Sequence, residues 1–144
     1  MVPRRVLPAQ DTSLYSSPAG ILIVDDEPSV LDFLERGLRL NGFTIWPAKT
    51  GKEAVEIYRN HRESIAAVLM DVRMPDLDGP ATLAALRSID PEVRCCFMSG
   101  GIGRYTQEDL LACGAVHVLG KPFALTDVVR VLQQMVSEYQ ARVA

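Results

Sequence analysis

Histidine and cysteine are scarce in this chain, at two and three residues among 144. Cys95 and Cys96 adjoin in the apolar run Cys95-Cys96-Phe97-Met98, and Cys113 stands alone. No Cys-x-x-Cys pair or Cys/His cluster is available, which excludes a zinc site of ordinary ligand spacing. The odd count and the apolar setting suit small core residues of a reduced compartment. No dense run of Lys or Arg occurs and the net charge is −3, so the grip that nucleic-acid backbones require is missing. No apolar stretch approaches the length of about 20 residues that spans a bilayer. Arg4 and Arg5 are followed by Pro8, Gln10, Asp11 and Ser13 where a signal peptide has its apolar core. Cytoplasm is therefore the default location, with neither a membrane nor nucleic acid as a direct partner.

What is present reads as one globular domain, 48% hydrophobic and 23% charged. Residues 1–18 carry prolines and serines with little apolar periodicity and read as a flexible leader, with the domain proper at 19–144. Ile21-Leu22-Ile23-Val24 is a short apolar run of the kind that forms a strand buried on both faces. Pro28 suits a first helical turn; Val30, Leu31, Leu34 and Leu38 recur at helical spacing, and Asn41-Gly42 closes that helix. Phe43–Trp46 is a second strand, and Thr50 with Glu53 forms a capping box that opens a helix through Ala54, Val55 and Tyr58. Strands at Ala66–Met70, Val93–Met98 and Ala115–Leu119 follow. Helices are expected at Pro80–Ile89, about Thr106–Cys113 and about Leu125–Tyr139.

Five strand–helix pairs imply an α/β fold with a parallel sheet covered by helices on both faces. In such sheets the chemistry gathers at the carboxyl ends of the strands, near the point where strand order reverses. The polar residues at strand ends are Asp25-Asp26, Asp71, Ser99 and Lys121. Three carboxylates brought to one pocket repel by roughly 1 kcal/mol per pair at about 4 Å in water, and by more at a protein surface. Such a cluster needs a cation or a proton. Oxygen ligands without His or Cys suit a hard ion such as Mg²⁺. The simpler role for Asp25 and Asp26, capping the next helix, does not account for a third carboxylate on another strand. Lys121 can offset carboxylate or phosphate charge, its backbone restricted by Pro122, and the Ser99 hydroxyl can bond a phosphoryl oxygen.

Ile21-Leu22-Ile23-Val24-Asp25-Asp26-Glu27-Pro28, Met70-Asp71-Val72-Arg73-Met74-Pro75-Asp76-Leu77-Asp78-Gly79, Ser99-Gly100 and Lys121-Pro122-Phe123, in that order and spacing, closely resemble the receiver domain of two-component response regulators. The resemblance covers about residues 19–140. It implies a flavodoxin-like (βα)₅ three-layer sandwich with a five-stranded parallel sheet in the order 2-1-3-4-5. It also implies that Asp71 is the phosphoacceptor, that Asp26 ligates Mg²⁺ (or Mn²⁺) directly with Asp25 supporting, and that the Arg73 backbone carbonyl is a further ligand. Ser99 and Lys121 then contact the phosphoryl group, and Pro75 and Gly79 shape the adjoining loop. The donor is a sensor histidine kinase or a histidine phosphotransfer protein. Catalysis is limited to the chain's own phosphorylation and dephosphorylation.

Three features depart from the family pattern. Where the family has Tyr or Phe three residues before the Lys, this chain has Val118; His117 should point to the opposite face and be structural. Gly100, Gly101 and Gly103 give the loop after Ser99 backbone freedom, without the spacing of a nucleotide-binding motif, and residues 99–105 are expected to reorder on phosphorylation. Arg73 can fringe the site and affect phosphoryl lifetime, or be a solvated loop residue. Val118 also leaves open a degenerate receiver used as a constitutive protein-interaction module. A haloacid-dehalogenase-like phosphohydrolase is the third reading, against which Arg73 stands where those enzymes have the second Asp of Asp-x-Asp. Output is expected through an unknown downstream effector protein, or else the chain is a piece of a longer regulator. A homodimer through the fourth helix, last strand and final helix is left open.

Overall fold

A computed structural model of the chain describes residues 20–100 and 103–143. The leader expected at residues 1–18, and Gly101 and Ile102 of the glycine-rich loop, lie outside the described residues. Strands and helices alternate along the rest: β1 (Gly20–Val24), α1 (Pro28–Leu40), β2 (Thr44–Ala48), α2 (Gly51–His61), a 3₁₀ turn (Arg62–Ser64), β3 (Ala67–Asp71), α3 (Gly79–Ile89), β4 (Cys95–Ser99), α4 (Gln107–Ala112), β5 (His117–Gly120) and α5 (Leu125–Val143). The strands form one parallel sheet in the order β2-β1-β3-β4-β5. The expected three-layer α/β sandwich is thus borne out.

The strands alternate side chains between two apolar layers, as the two-residue period demands. Leu22, Val24, Val68, Met70 and Phe97 face one way and meet Tyr58 of α2, Leu83 and Leu86 of α3, and Leu110 of α4. Ile21, Ile23, Leu69, Cys96 and Met98 face the other way, against Leu34 and Leu38 of α1 and Leu132 and Met135 of α5. Each fully buried Leu, Ile or Phe contributes about 1.5–3 kcal/mol relative to an exposed one. Burial on both sides explains why the central strands read as unbroken apolar runs. The adjacent cysteines fall one into each layer, free and buried, and burial pushes the Cys96 thiol up to about 12.

Element ends follow local chemistry. After α1, Gly42 takes φ 91°, Phe43 N–H donates to Leu38 O at 3.1 Å and Gly42 N–H to Arg39 O at 3.1 Å. This is a Schellman closure, with Phe43 and Leu38 in one apolar layer. Phe43 is therefore part of the stop, and β2 begins one residue later than the sequence suggests. Pro47 lies inside β2, which is tolerable because β2 is an edge strand. Thr50 caps α2 through Glu53 N–H, but the Glu53 carboxylate accepts from Lys49 N–H instead of closing the box on Thr50. A complete capping box occurs at Thr106–Asp109, ahead of α4. Among the described residues no helix is long and apolar enough to cross a membrane.

Candidate functional site

Parallel pairing of β1 with β3 sets Val24 beside Met70, so the residues that follow in each strand leave the sheet side by side. Carboxylate oxygens of Asp25, Asp26 and Asp71 consequently lie within 4.8 Å of one another. Asp25 is fully buried and Asp71 is 8% exposed, whereas Asp26 is more open to solvent. The Glu27 N–H donates to Asp25 Oδ1 at 2.9 Å, while buried Asp25 Oδ2 has no hydrogen-bond partner. Burial, opposed by that backbone bond and reinforced by Asp71, pushes the Asp25 carboxyl up to about 6. Burial also holds Asp71 above the usual carboxylate value, with Lys121 pulling it back down.

Lys121 supplies the countercharge. Its Nζ lies 3.3 Å from Asp71 Oδ1 and 3.9 Å from Asp25 Oδ2. The Lys121 N–H donates to the Ser99 carbonyl at 2.7 Å, continuing the β4–β5 ladder that pairs Ser99 with Gly120. Backbone pairing therefore fixes Ser99 and Lys121 next to each other on the side of the site facing Asp71. The Lys121–Pro122 peptide bond is cis.

A cavity opens from this cluster between the β3–α3 and β4–α4 loops, lined by Asp26, Asp71, Arg73, Ser99, Arg104 and Lys121 among others. Of the site residues expected from the sequence, Asp26, Asp71, Arg73, Pro75, Ser99 and Lys121 border the cavity, whereas Asp25 and Gly79 do not. Gly79 is fitted against the backbone of Asp71. Its N–H donates to Val72 O at 2.8 Å, and a Cβ there would come 2.7 Å from the Asp71 carbonyl oxygen. Val118 is half-buried and packs with the α2–α3–α4 layer.

Two residues on the cavity wall were not singled out by sequence. Asp78 Oδ1 accepts the Ala81 N–H at 2.9 Å, capping α3, and its Oδ2 accepts the Tyr105 hydroxyl at 2.9 Å. The signal for the cap was present, since Asp ahead of Gly79-Pro80 is a helix start. The Tyr105 contact has no sequence signal because the two residues come from different loops.

The model for the response regulator receiver domain matches residues 21–133. The chain belongs to that family. It is 40% identical over 112 residues to the transcriptional regulatory protein PrrA of Mycobacterium tuberculosis, covering 76% of this chain and 46% of PrrA. It is 32% identical over 123 residues to the sensor kinase CckA of Brucella abortus, covering 85% of this chain and 13% of CckA. Less than half the length of each of these relatives is therefore spanned. Among solved structures, a chain of the CheX–CheY–BeF3–Mg+2 complex from Borrelia burgdorferi aligns with TM-score 0.73 and 32% identity, over 85% of this chain and 90% of that one. The chain is a receiver domain of two-component signalling with a CheY-like flavodoxin fold, and its acidic cluster can hold a metal ion.

Proposed function

We propose that this receiver accepts a phosphoryl group on Asp71 from a phosphohistidine of a sensor histidine kinase or histidine phosphotransfer protein, and so switches its binding to a downstream effector. The observation that carries this reading is the approach of Lys121 Nζ to Asp71 beside an unsatisfied, buried Asp25 oxygen. Three carboxylates gather here and Lys121 offsets the charge of only part of the cluster, whose all-oxygen donor set fits a hard divalent cation. Asp26 and Asp71 would hold Mg²⁺ or Mn²⁺, with Asp25 supporting and the Arg73 backbone carbonyl as a further ligand. A bound divalent ion neutralises charge on the transferring phosphoryl oxygens.

The residues' own part is simple. An ionised carboxylate needs no general base, so an Asp71 oxygen bonds to phosphorus as the P–N bond of the donor, protonated on its other ring nitrogen, breaks and neutral imidazole leaves. Lys121 offsets the charge on the acceptor and then on the acyl phosphate, and the Ser99 hydroxyl supplies a hydrogen bond to a phosphoryl oxygen. Water later returns Asp71 to a carboxylate and releases phosphate. No other substrate is turned over, and the cytoplasm, where kinase and effector meet, is the proposed location. The relatives support the partner class: one is named a sensor kinase, and the Borrelia complex is named for BeF3 and Mg+2.

Incubating wild type and Asp71→Asn with a small phosphodonor and Mg²⁺ tests the reading. Wild type should yield an acid-stable, base-labile phosphoprotein and the variant none. An unlabelled wild type would favour the degenerate receiver, a constitutive interaction module, which Val118 in its apolar layer accommodates. Equal label on both proteins would move the acceptor away from Asp71.

A further inference from the structure

The Asp78 carboxylate is shared between two helix starts. One oxygen caps α3 through Ala81, and the other accepts the hydroxyl of Tyr105 across the cavity, each at 2.9 Å. The cap is joined to the end of β3, because the next residue, Gly79, is pressed onto the Asp71 carbonyl and bonded to Val72. Buried Thr82 fastens it from behind, donating its hydroxyl to the Asp78 carbonyl at 2.8 Å. At the other end, Tyr105 immediately precedes Thr106, the N-cap of α4. Tyr105 and Leu110 hold the paired positions of a hydrophobic staple and pack into the same apolar layer. The half-buried ring is thereby attached to α4 while its hydroxyl is attached to α3.

Building on the reading that Asp71 is the phosphoacceptor, we propose that the Tyr105–Asp78 hydrogen bond links the acceptor strand to α4, with Tyr105 a positioning residue that carries displacement of the site into the α4 surface. Coupling of this kind needs an element with two arrangements that both sites bias. The element here is the start of α4, joined to the start of α3 by the Tyr105–Asp78 bond, and α4 is the shortest α-helix among the described residues.

The test is hydrogen exchange on the full chain, with and without Mg²⁺ and beryllofluoride, for wild type, Tyr105→Phe and Asp78→Ser. The serine retains an N-cap oxygen but removes the second acceptor. In the wild type, exchange should change across residues 71–77 and 107–112. Both variants should keep the first response and lose the second, and their resting α4 amides should exchange roughly threefold to tenfold faster, as loss of one net hydrogen bond implies. Combining the two substitutions should add nothing to either alone, since both break the same bond. An α4 response equal to wild type in Tyr105→Phe overturns the proposal, as does a wild type that takes phosphoryl label on Asp71 while α4 stays silent. A wild type that takes no label overturns the phosphoacceptor reading, and this inference with it.

Discussion

Lys121 Nζ lies 3.3 Å from Asp71 Oδ1 and 3.9 Å from Asp25 Oδ2, so one ammonium is shared by two buried carboxylates from different strands. Neither carboxylate is fully compensated, since burial holds both above the usual carboxylate range in spite of the lysine.

Replacing Lys121 by Met keeps the stem and removes the charge. The folded state then carries like charges without their counter-ion, and stability at pH 7 without metal should fall by about 1–3 kcal/mol. That is less than for a fully enclosed pair, because the Lys121 side chain is 27% exposed. Asp71 already titrates above its unfolded value of 3.8, and losing Lys121 raises it further, so the deficit should grow as pH rises above 3.8 and shrink below it. Urea denaturation at pH 4 and pH 7 measures both parts. A deficit as large at pH 4 as at pH 7 would assign the loss to packing.

Asp25 gives a second pH dependence. Its folded value of about 6 exceeds the unfolded 3.8, so the folded state binds the proton more tightly. Stability from this group is full below 3.8 and is lost as pH climbs through about 6, by roughly 3 kcal/mol in all. A divalent cation held by the acidic cluster would compete with that proton and displace it above about pH 6. Added Mg²⁺ should therefore raise the melting temperature more at pH 7 than at pH 5, and the metal-free protein should melt lower at pH 7 than at pH 5. Asp25→Asn should flatten the metal-free difference. Calorimetry across that range is decisive, and an equal Mg²⁺ effect at both pH values would remove Asp25 from the metal's surroundings.

Most of the fold could be read from the sequence because its signals are local. Apolar runs such as Ile21–Val24 mark strands covered on both faces, and Asn41-Gly42 marks a helix stop. Errors fell where a tertiary contact decides the boundary. Phe43 is strand-like by composition but is consumed by the α1 closure, and β5 runs only from His117 to Gly120, although the Val116 N–H already bonds to the Cys95 carbonyl. Glu53 matches a capping box by spacing, yet its carboxylate turns to Lys49. The site residues lay at strand ends, where fold class alone directs attention. The Tyr105–Asp78 contact joins residues 27 apart through two loops, and no period or motif encodes such a pairing.

Gly79→Ala tests how tightly α3 is seated on Asp71. The new Cβ would lie 2.7 Å from the Asp71 carbonyl oxygen and 2.8 Å from Phe97 Cε1, one of them backbone. The gain in helix propensity is small beside this overlap, so a loss of about 1–3 kcal/mol is expected. Gly120→Ala is the control, as its Cβ would meet nothing within 4 Å, and it should stay within about 0.5 kcal/mol of wild type. Chemical denaturation of the pair reads the difference. Equal midpoints would mean that the α3 start yields freely and that its contact with Asp71 is loose.

Arg73 is placed where its effect on the lifetime of a phosphoryl group can be tested. It follows Asp71 by two positions and borders the same cavity, and its side chain runs towards the opposite loop. A Cβ placed on Gly103 would come 3.6 Å from its Nη1 and 3.7 Å from its Cδ, so the chain reaches across the cavity edge to the β4–α4 side. A cation there would attract the oxygens of a phosphoryl group on Asp71, and its bulk would narrow the path by which water attacks the acyl phosphate. Because Arg73 is exposed, the interaction is screened and worth about 0.5–1 kcal/mol. Arg73→Ala should therefore shorten the half-life of the phosphoprotein by roughly twofold to fivefold. Following loss of label in excess Mg²⁺, after donor is removed, separates this effect from the rate of labelling. Arg73→Lys keeps a charge but gives up the planar fork and should fall between the two. A half-life unchanged by Arg73→Ala would leave Arg73 a loop residue without a part in the chemistry.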